Sequence, residues 1–188
     1  RCDIEELEDR ALMALQGPAS ENVLEMLAPG VADLKFMSSG EFSICGAACF
    51  ITRSGYTGED GFEISMPSMM AEEIAETILS HEDTELIGLG ARDSLRLEAG
   101  LCLYGQDINE MTTPVEANLG WTIGKRRRKE GGFPGFENII RQLKDGVSTR
   151  RYGVRPDGRA PARAGTEIFD LEGNKVGDIS SGGFGPTV

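Results

Sequence analysis

Histidine is nearly absent from these 188 residues: His81 is the single one, in the polar segment Ser80-His81-Glu82-Asp83. One imidazole excludes a His-based metal centre and gives no support to a Cys–His nucleophile. His81 reads as a surface residue. Cysteine is scarce too, at Cys2, Cys45, Cys49 and Cys102, with no C-x-x-C pair. Their apolar neighbours, among them Ile44, Ala47, Phe50 and Leu101, point to buried reduced thiols rather than a disulfide framework or a zinc site. Positive charge is short: 19 Lys and Arg against 31 Asp and Glu leave a net charge of −12. That balance argues against nucleic acid or anionic lipid as a partner of the whole chain. No apolar run approaches the roughly 20 residues of a membrane span, and no signal peptide is legible. The chain opens on Arg1 rather than Met, so the expectation is an excised piece of a longer protein.

What is present fits a soluble globular protein: 39% hydrophobic and 27% charged residues, with length for one good core or two small ones. Ala11-Leu12-Met13-Ala14-Leu15 reads as a buried strand ended by Gly17-Pro18. Pro18 suits the first position of a helix, and Val23, Leu24 and Leu27 share one helical face. Pro29-Gly30 stops that helix. Residues 34 to 53 read as β-structure, with Glu41 to Cys45 alternating, Gly46 interrupting, and Ala48 to Thr52 resuming. Pro67-Ser68 opens a helix with Ser68 as N-cap, and Met70, Ile74 and Ile78 repeat every four residues on its apolar face, with Met69 and Met70 expected as core filling.

The densest stretch is Gly55-Tyr56-Thr57-Gly58-Glu59-Asp60-Gly61-Phe62-Glu63-Ile64. Gly58 and Gly61 bracket Glu59-Asp60, which is turn chemistry, because glycine supplies the positive φ of tight turns. Beyond the turn a strand would place Phe62 and Ile64 toward a core and Glu63 on the opposite face. A carboxylate on a strand, just after a loop holding Tyr56, is suited to receive a flat ligand; a solvated Glu on an ordinary hairpin is the bland alternative.

Gly88-Leu89-Gly90 lacks the third glycine and the Lys-Ser or Lys-Thr of nucleotide loops, so dinucleotide and P-loop readings are rejected. It reads as a turn feeding a helix from Asp93 to Glu98, closed by Gly100. Arg92, at the mouth of that helix, is unfavourably placed toward the dipole and calls for an anionic or carbonyl-bearing partner, or a structural salt bridge. Thr113-Pro114-Val115-Glu116 is a capping box opening a helix, with Glu116 assigned to capping. Lys125-Arg126-Arg127-Arg128-Lys129 is a run of five cations in an acidic chain, either a solvated face or a site for an acidic partner, a polyanionic ligand tail or nucleic acid, the last disfavoured by the net charge. Phe136 to Lys144 reads as a helix ended by Gly146. From Arg151, Tyr152-Gly153-Val154, Glu167-Ile168-Phe169 and Lys175 to Ile179 read as short strands, the start of a C-terminal β-barrel.

Taken in order, several stretches resemble one family. They are Gly55 to Ile64, Ala91-Arg92-Asp93-Ser94-Leu95-Arg96-Leu97-Glu98-Ala99-Gly100-Leu101, Leu103-Tyr104-Gly105-Gln106-Asp107, Thr112-Thr113-Pro114-Val115-Glu116-Ala117, Gly124-Lys125-Arg126-Arg127-Arg128, and Ser180-Ser181-Gly182-Gly183. The set resembles the aminomethyltransferases (T-proteins) of the glycine cleavage system, from about Leu12 to the end of the chain. No single motif is specific; the combination is. Folate-dependent demethylases and the folate-binding halves of dimethylglycine and sarcosine dehydrogenases share the fold and part of the first two motifs. The Thr-Thr-Pro-Val-Glu and Lys-Arg-Arg-Arg portions favour the T-proteins.

The resemblance implies a tetrahydrofolate cosubstrate, no metal, and a lipoylated H-protein as partner. Tetrahydrofolate would receive a methylene unit from the aminomethyl group on the lipoyl arm, with release of ammonia. By resemblance Glu63 accepts paired hydrogen bonds from the pterin edge, Arg92 satisfies the pterin carbonyl, and Tyr56 lines the ring site. Glu59 and Asp60 stay turn formers. Lys125, Arg126, Arg127 and Arg128 would dock the acidic H-protein or hold a folate tail. The family's important aspartate would lie before Arg1 and a late arginine after Val188, so the catalytic residue is not among these 188, and the piece alone would bind folate weakly without useful turnover. A non-catalytic folate-binding module, of the kind serving iron–sulfur protein maintenance, or a related folate-dependent demethylase is the alternative; the module's Lys-Gly-Cys-Tyr-type motif is not matched by Gly-Tyr-Thr-Gly-Glu-Asp here. The expected fold is α+β: an antiparallel, ferredoxin-like sheet with helices over 1–146, truncated at its N-terminus, and the start of the barrel over 147–188. The expected home is bacterial cytoplasm or a mitochondrial matrix.

Overall fold

Alternating apolar residues set the first elements. Strand β1 is Arg10–Gln16, helix α1 is Ser20–Leu27, and strands β2, β3 and β4 are Ser39–Ile44, Ala47–Thr52 and Gly61–Pro67. Helices α2 (Ala71–Leu79) and α3 (Leu89–Glu98) follow, then α4 (Lys125–Glu130), α5 (Phe136–Asp145), and strands β5 (Glu167–Phe169) and β6 (Lys175–Asp178). The computed structural model describes residues 2–158 and 160–187. The chain divides into two compact units, Arg1–Ala99 and Gly100–Val188.

In the first unit the strands form one antiparallel sheet in the order β1-β4-β3-β2. The α+β class with an antiparallel sheet therefore stands. The order is that of a Greek key, a β2-β3-β4 meander with β1 brought beside β4. It is not the split βαβ order of a ferredoxin-like sheet: β1 and β2, joined through α1, lie at opposite edges. One face carries the core. Ile51, Phe62, Ile64 and Met66 are fully buried there with Val23 and Leu24 of α1 and Ile74 and Ile78 of α2. Each such side chain contributes about 1.5–3 kcal/mol through burial. β1 is buried on one face only: Met13 and Leu15 pack on the core, while Leu12 is 70% exposed on the other. The alternation of β4 turns Glu63 onto that second face, opposite Ala14 of β1 and Thr52 of β3.

Several local expectations change. Pro18 precedes α1 rather than opening it, because residues 17–20 first close a turn through Ser20 N–H to Gly17 O, 3.0 Å. Ser68 does not cap α2: it opens a 3₁₀ turn, and α2 starts after Met70 with no side-chain cap. That turn leaves Met69 outside the apolar face and 88% exposed, so Met70 alone packs on the core. α3 begins four residues earlier than expected, with Gly88 flanking it, and Gly100 follows its end at φ 71°. Of the thiols, Cys49 is buried but Cys2 and Cys45 are exposed and Cys102 is half-buried. Cys45 sits at φ 51° in the β2–β3 turn, which carries it off the core face.

In the second unit the capping box forms without a helix. Thr113 N–H donates to Glu116 Oε2 at 2.8 Å and Glu116 N–H to Thr113 Oγ1 at 3.2 Å. One helical turn closes over residues 113–118, and Asn118 at φ 60° ends it. The cationic run folds as α4, and α5 matches its expected span. β5 and β6 form a two-stranded antiparallel ribbon. Tyr152-Gly153-Val154 is no strand, since it has no neighbouring strand to pair with, and among the described residues no third strand joins the ribbon.

Candidate functional site

The last residue of β1 carries a side chain that organises a loop. Residues 53–60 link β3 to β4, longer than the tight turn expected, and only Gly58 of its bracketing glycines has positive φ (81°). Gly61 is needed for a different reason: a Cβ there would stand 2.7 Å from Leu15 O and 2.5 Å from the Gln16 amide. Gln16 Nε2 donates to Ser54 O at 3.0 Å and to Phe62 O at 3.3 Å, and its Oε1 accepts Thr57 Oγ1–H at 3.0 Å.

Asp60 and Arg53 hold the two ends of this loop. Arg53 Nε donates to Asp60 Oδ1 at 3.0 Å, and its guanidinium also reaches Asp60 Oδ2, Glu21 of α1 and the carbonyls of Ala32 and Leu34. It lies 5.3 Å from the Phe62 ring centroid. Hydrogen bonding from Arg53 lowers the Asp60 pKa below the ordinary aspartate value, and the same bonds raise that of Arg53. Asp60 is thus an ion-pair partner as well as a loop residue.

A cavity of about 520 Å³ opens beside the β1 edge, within the size range of small-molecule sites. Its wall includes Gln16, Tyr56, Glu63 and Arg92, with Asp83 and Glu85 from the segment before α3. That segment is tied to the end of α2 by Thr84 Oγ1–H, which donates to Ile78 O at 2.7 Å and His81 O at 2.8 Å. Glu63 is half-buried, and Ser54 Oγ donates to its Oε2 at 2.6 Å. Arg92, the fourth residue of α3, places its guanidinium carbon 5.5 Å from the Tyr56 ring centroid. The partner given to Arg92 is thus an aromatic face, which attracts a cation through its quadrupole.

The three residues singled out from the sequence, Tyr56, Glu63 and Arg92, therefore line one cavity. Gln16, Ser54 and Arg53 were missed. Their only signal was a polar residue ending an apolar run, or lying between a strand and a glycine loop. The cations Lys125, Arg126, Arg127 and Arg128 belong to α4 in the second unit. Arg126 pairs with Glu130 at 3.1 Å, and Arg128 donates to the carbonyls of Ile123 and Gly120. Two other stretches meet in that unit: Asp107 accepts from Leu103 N–H, Ser180 Oγ–H and Ser181 Oγ–H. Gly182 beside them has no room for a side chain, since its Cβ would lie 1.8 Å from Ala162 O. Among the described residues no group of three or more His, Cys, Asp or Glu side chains is placed to hold a metal ion, and no helix is long and apolar enough to cross a membrane.

Known proteins are similar to this chain over nearly its whole length. The chain is 53% identical over 184 residues to a mitochondrial aminomethyltransferase of Solanum tuberosum, covering 95% of this chain and 45% of that protein. It is 51% identical over 188 residues to the mitochondrial aminomethyltransferase of Homo sapiens, covering 97% and 46%. A crystal structure of the glycine cleavage system aminomethyltransferase T from Bartonella henselae superposes with a TM-score of 0.87 at 49% identity, covering 95% of this chain and 48% of that one. The chain thus spans under half the length of the relatives it matches. Residues 1–127, which contain the whole cavity, match the GCVT N-terminal domain, and the chain belongs to that family.

Proposed function

We propose that this chain is the folate-binding part of an aminomethyltransferase of glycine cleavage. The protein moves the methylene unit from aminomethyl-lipoyl H-protein to tetrahydrofolate and releases ammonia. The observation that carries this reading is Glu63, a carboxylate held by Ser54 inside a cavity that Tyr56 and Arg92 also line. A pterin edge presents two parallel N–H donors, and a carboxylate accepts such a pair. With Ser54 on one lone pair of Oε2, Glu63 keeps Oε1 and the remaining lone pair for the ligand. Arg92 donates to the pterin carbonyl, and the Tyr56 ring packs against the flat heterocycle. Family membership and the relatives' names support the same reaction, and favour it over a non-catalytic folate module or a demethylase.

We further assign Lys125, Arg126, Arg127 and Arg128 to contact with the acidic H-protein. The folate-binding region is drawn over 1–146, and the ribbon of β5 and β6 is read as the start of a C-terminal β-barrel over 147–188. The mitochondrial relatives support a matrix location in a eukaryote; the cytoplasm is the corresponding place in a bacterium. Isothermal titration of the full-length protein with tetrahydrofolate, wild type against Glu63→Gln, tests the central assignment. At least a tenfold loss of affinity is expected, about 1.4 kcal/mol; equal affinities would overturn it.

A further inference from the structure

Tyr56 is flanked by Gly55 and Thr57, and both neighbours rest on one side chain. A Cβ at Gly55 would stand 1.8 Å from Gln16 Oε1, so the loop backbone lies directly on the amide. Thr57, 6% exposed, donates its hydroxyl hydrogen to that same Oε1 at 3.0 Å. The amide nitrogen faces the carbonyl oxygens of Ser54, Phe62 and Leu15 at 3.0, 3.3 and 3.3 Å. A primary amide supplies two donors and an acceptor oxygen, and each is engaged here.

We propose that Gln16 is the positioning residue of the Tyr56–Glu63–Arg92 cavity. Through Ser54 O it sets the backbone from which Ser54 Oγ reaches Glu63. Through Gly55 and Thr57 it sets where the Tyr56 ring stands beneath Arg92. The chemistry is demanding. A carboxylate in place of the amide would turn acceptor oxygens toward three carbonyls, and a thioether would offer no donor. Asn is one methylene too short to span from β1 to the loop. The inference rests on the folate reading only for the identity of the ligand.

The test uses the full-length protein with Gln16→Met, and Thr57→Val as a second variant that breaks the same contact from the loop side. Amide hydrogen exchange is followed without ligand over residues 54–59, with β3 as internal control. Tetrahydrofolate affinity is measured by titration. With each variant, exchange over 54–59 is expected to accelerate while β3 is unchanged. Tetrahydrofolate Kd and KM are expected to rise about tenfold, as the loss of one or two buried hydrogen bonds gives. The turnover number and the KM for aminomethylated H-protein stay as in wild type. Thr57→Ser, which keeps the hydroxyl, restores affinity, and the double variant Gln16→Met/Thr57→Val binds no worse than Gln16→Met, because both remove one coupled contact. Unchanged exchange over 54–59, or accelerated exchange with unchanged affinity, would overturn the proposal. If wild type takes no tetrahydrofolate while the loop still loosens, the folate reading fails and the positioning role of Gln16 stands.

Discussion

Ser54 Oγ stands 2.6 Å from Glu63 Oε2 and donates its hydrogen to it. A strand alone would place the Glu63 carboxylate on the sheet face with rotamers to spare; this bond selects one. Ser54→Ala is expected to leave the fold intact and to weaken tetrahydrofolate binding about fivefold, roughly 1 kcal/mol, the scale of one hydrogen bond to a half-buried charge. Titration of the full-length variant measures it. Unaltered affinity would mean that Glu63 does not need that orientation.

Gly55 is expected to be intolerant of any side chain. Alanine there must displace the Gln16 amide, since its Cβ would lie 1.8 Å from Oε1 and 2.4 Å from Cδ. Gly55→Ala should lower the thermal midpoint by several degrees, as about 1–3 kcal/mol of overpacking does, and should weaken ligand binding with it. An unchanged midpoint in a melting experiment would contradict the close packing of the loop on β1.

The Arg53–Asp60 pair predicts the acid behaviour of this loop. Asp60 has a pKa lowered in the folded state, chiefly by its hydrogen bonds from Arg53. Its contribution to stability is therefore complete above the ordinary aspartate value of about 3.9 and is lost as the pH falls through the lower folded value. Asp60→Asn should reduce stability at neutral pH and flatten the stability profile below about pH 4. Denaturant melts at pH 7 and at pH 3 test this; parallel wild-type and variant profiles would remove Asp60 from the account.

In the second unit, Thr113 and Glu116 close one turn by reciprocal hydrogen bonds. Thr113→Ala removes one of the two and is expected to cost about 1 kcal/mol. Thr113→Ser, which keeps the acceptor oxygen, should cost a few tenths at most. Chemical denaturation of the two variants separates the hydroxyl from the methyl group.

On α4 the cations are not equivalent. Arg126 is paired with Glu130, and Arg128 donates to the carbonyls of Gly120 and Ile123. Reversing Lys125 and Arg127 to Glu should therefore test docking with the least effect on folding. The proposed role predicts a several-fold rise in the KM for aminomethylated H-protein that shrinks with added salt, and unchanged turnover with free aminomethyl-lipoamide. Equal losses with both substrates would rule docking out.

Much of the first unit is legible before any coordinates. The period-2 alternation of Phe62-Glu63-Ile64 places two core residues and one carboxylate on the opposite face, where the cavity lies, and the i, i+4 spacing of Ile74 and Ile78 marks the face that α2 buries. Boundaries are less legible. Gly88 and Gly90 look like a turn, but α3 begins at Leu89. The capping box looks like the start of a helix, yet the left-handed Asn118 ends it after one turn. Tyr152-Gly153-Val154 has no partner strand and stays irregular. Local patterns state what a segment prefers; neighbours decide whether it is paid out in structure.

The sequence by itself determined the α+β class and the strand face of Glu63, because these follow from residue types at fixed spacing along single elements; the resemblance of its motifs to a known family pointed to that family and to Tyr56 and Arg92. Only the tertiary structure decided the strand order, which puts β1 rather than β2 beside β4, and with it the place of Gln16. An amide at residue 16 and a loop at residues 54–57 are 38 or more positions apart in the chain. Hydrogen bonds over such separations depend on which edges the sheet brings together, and no local periodicity encodes that choice.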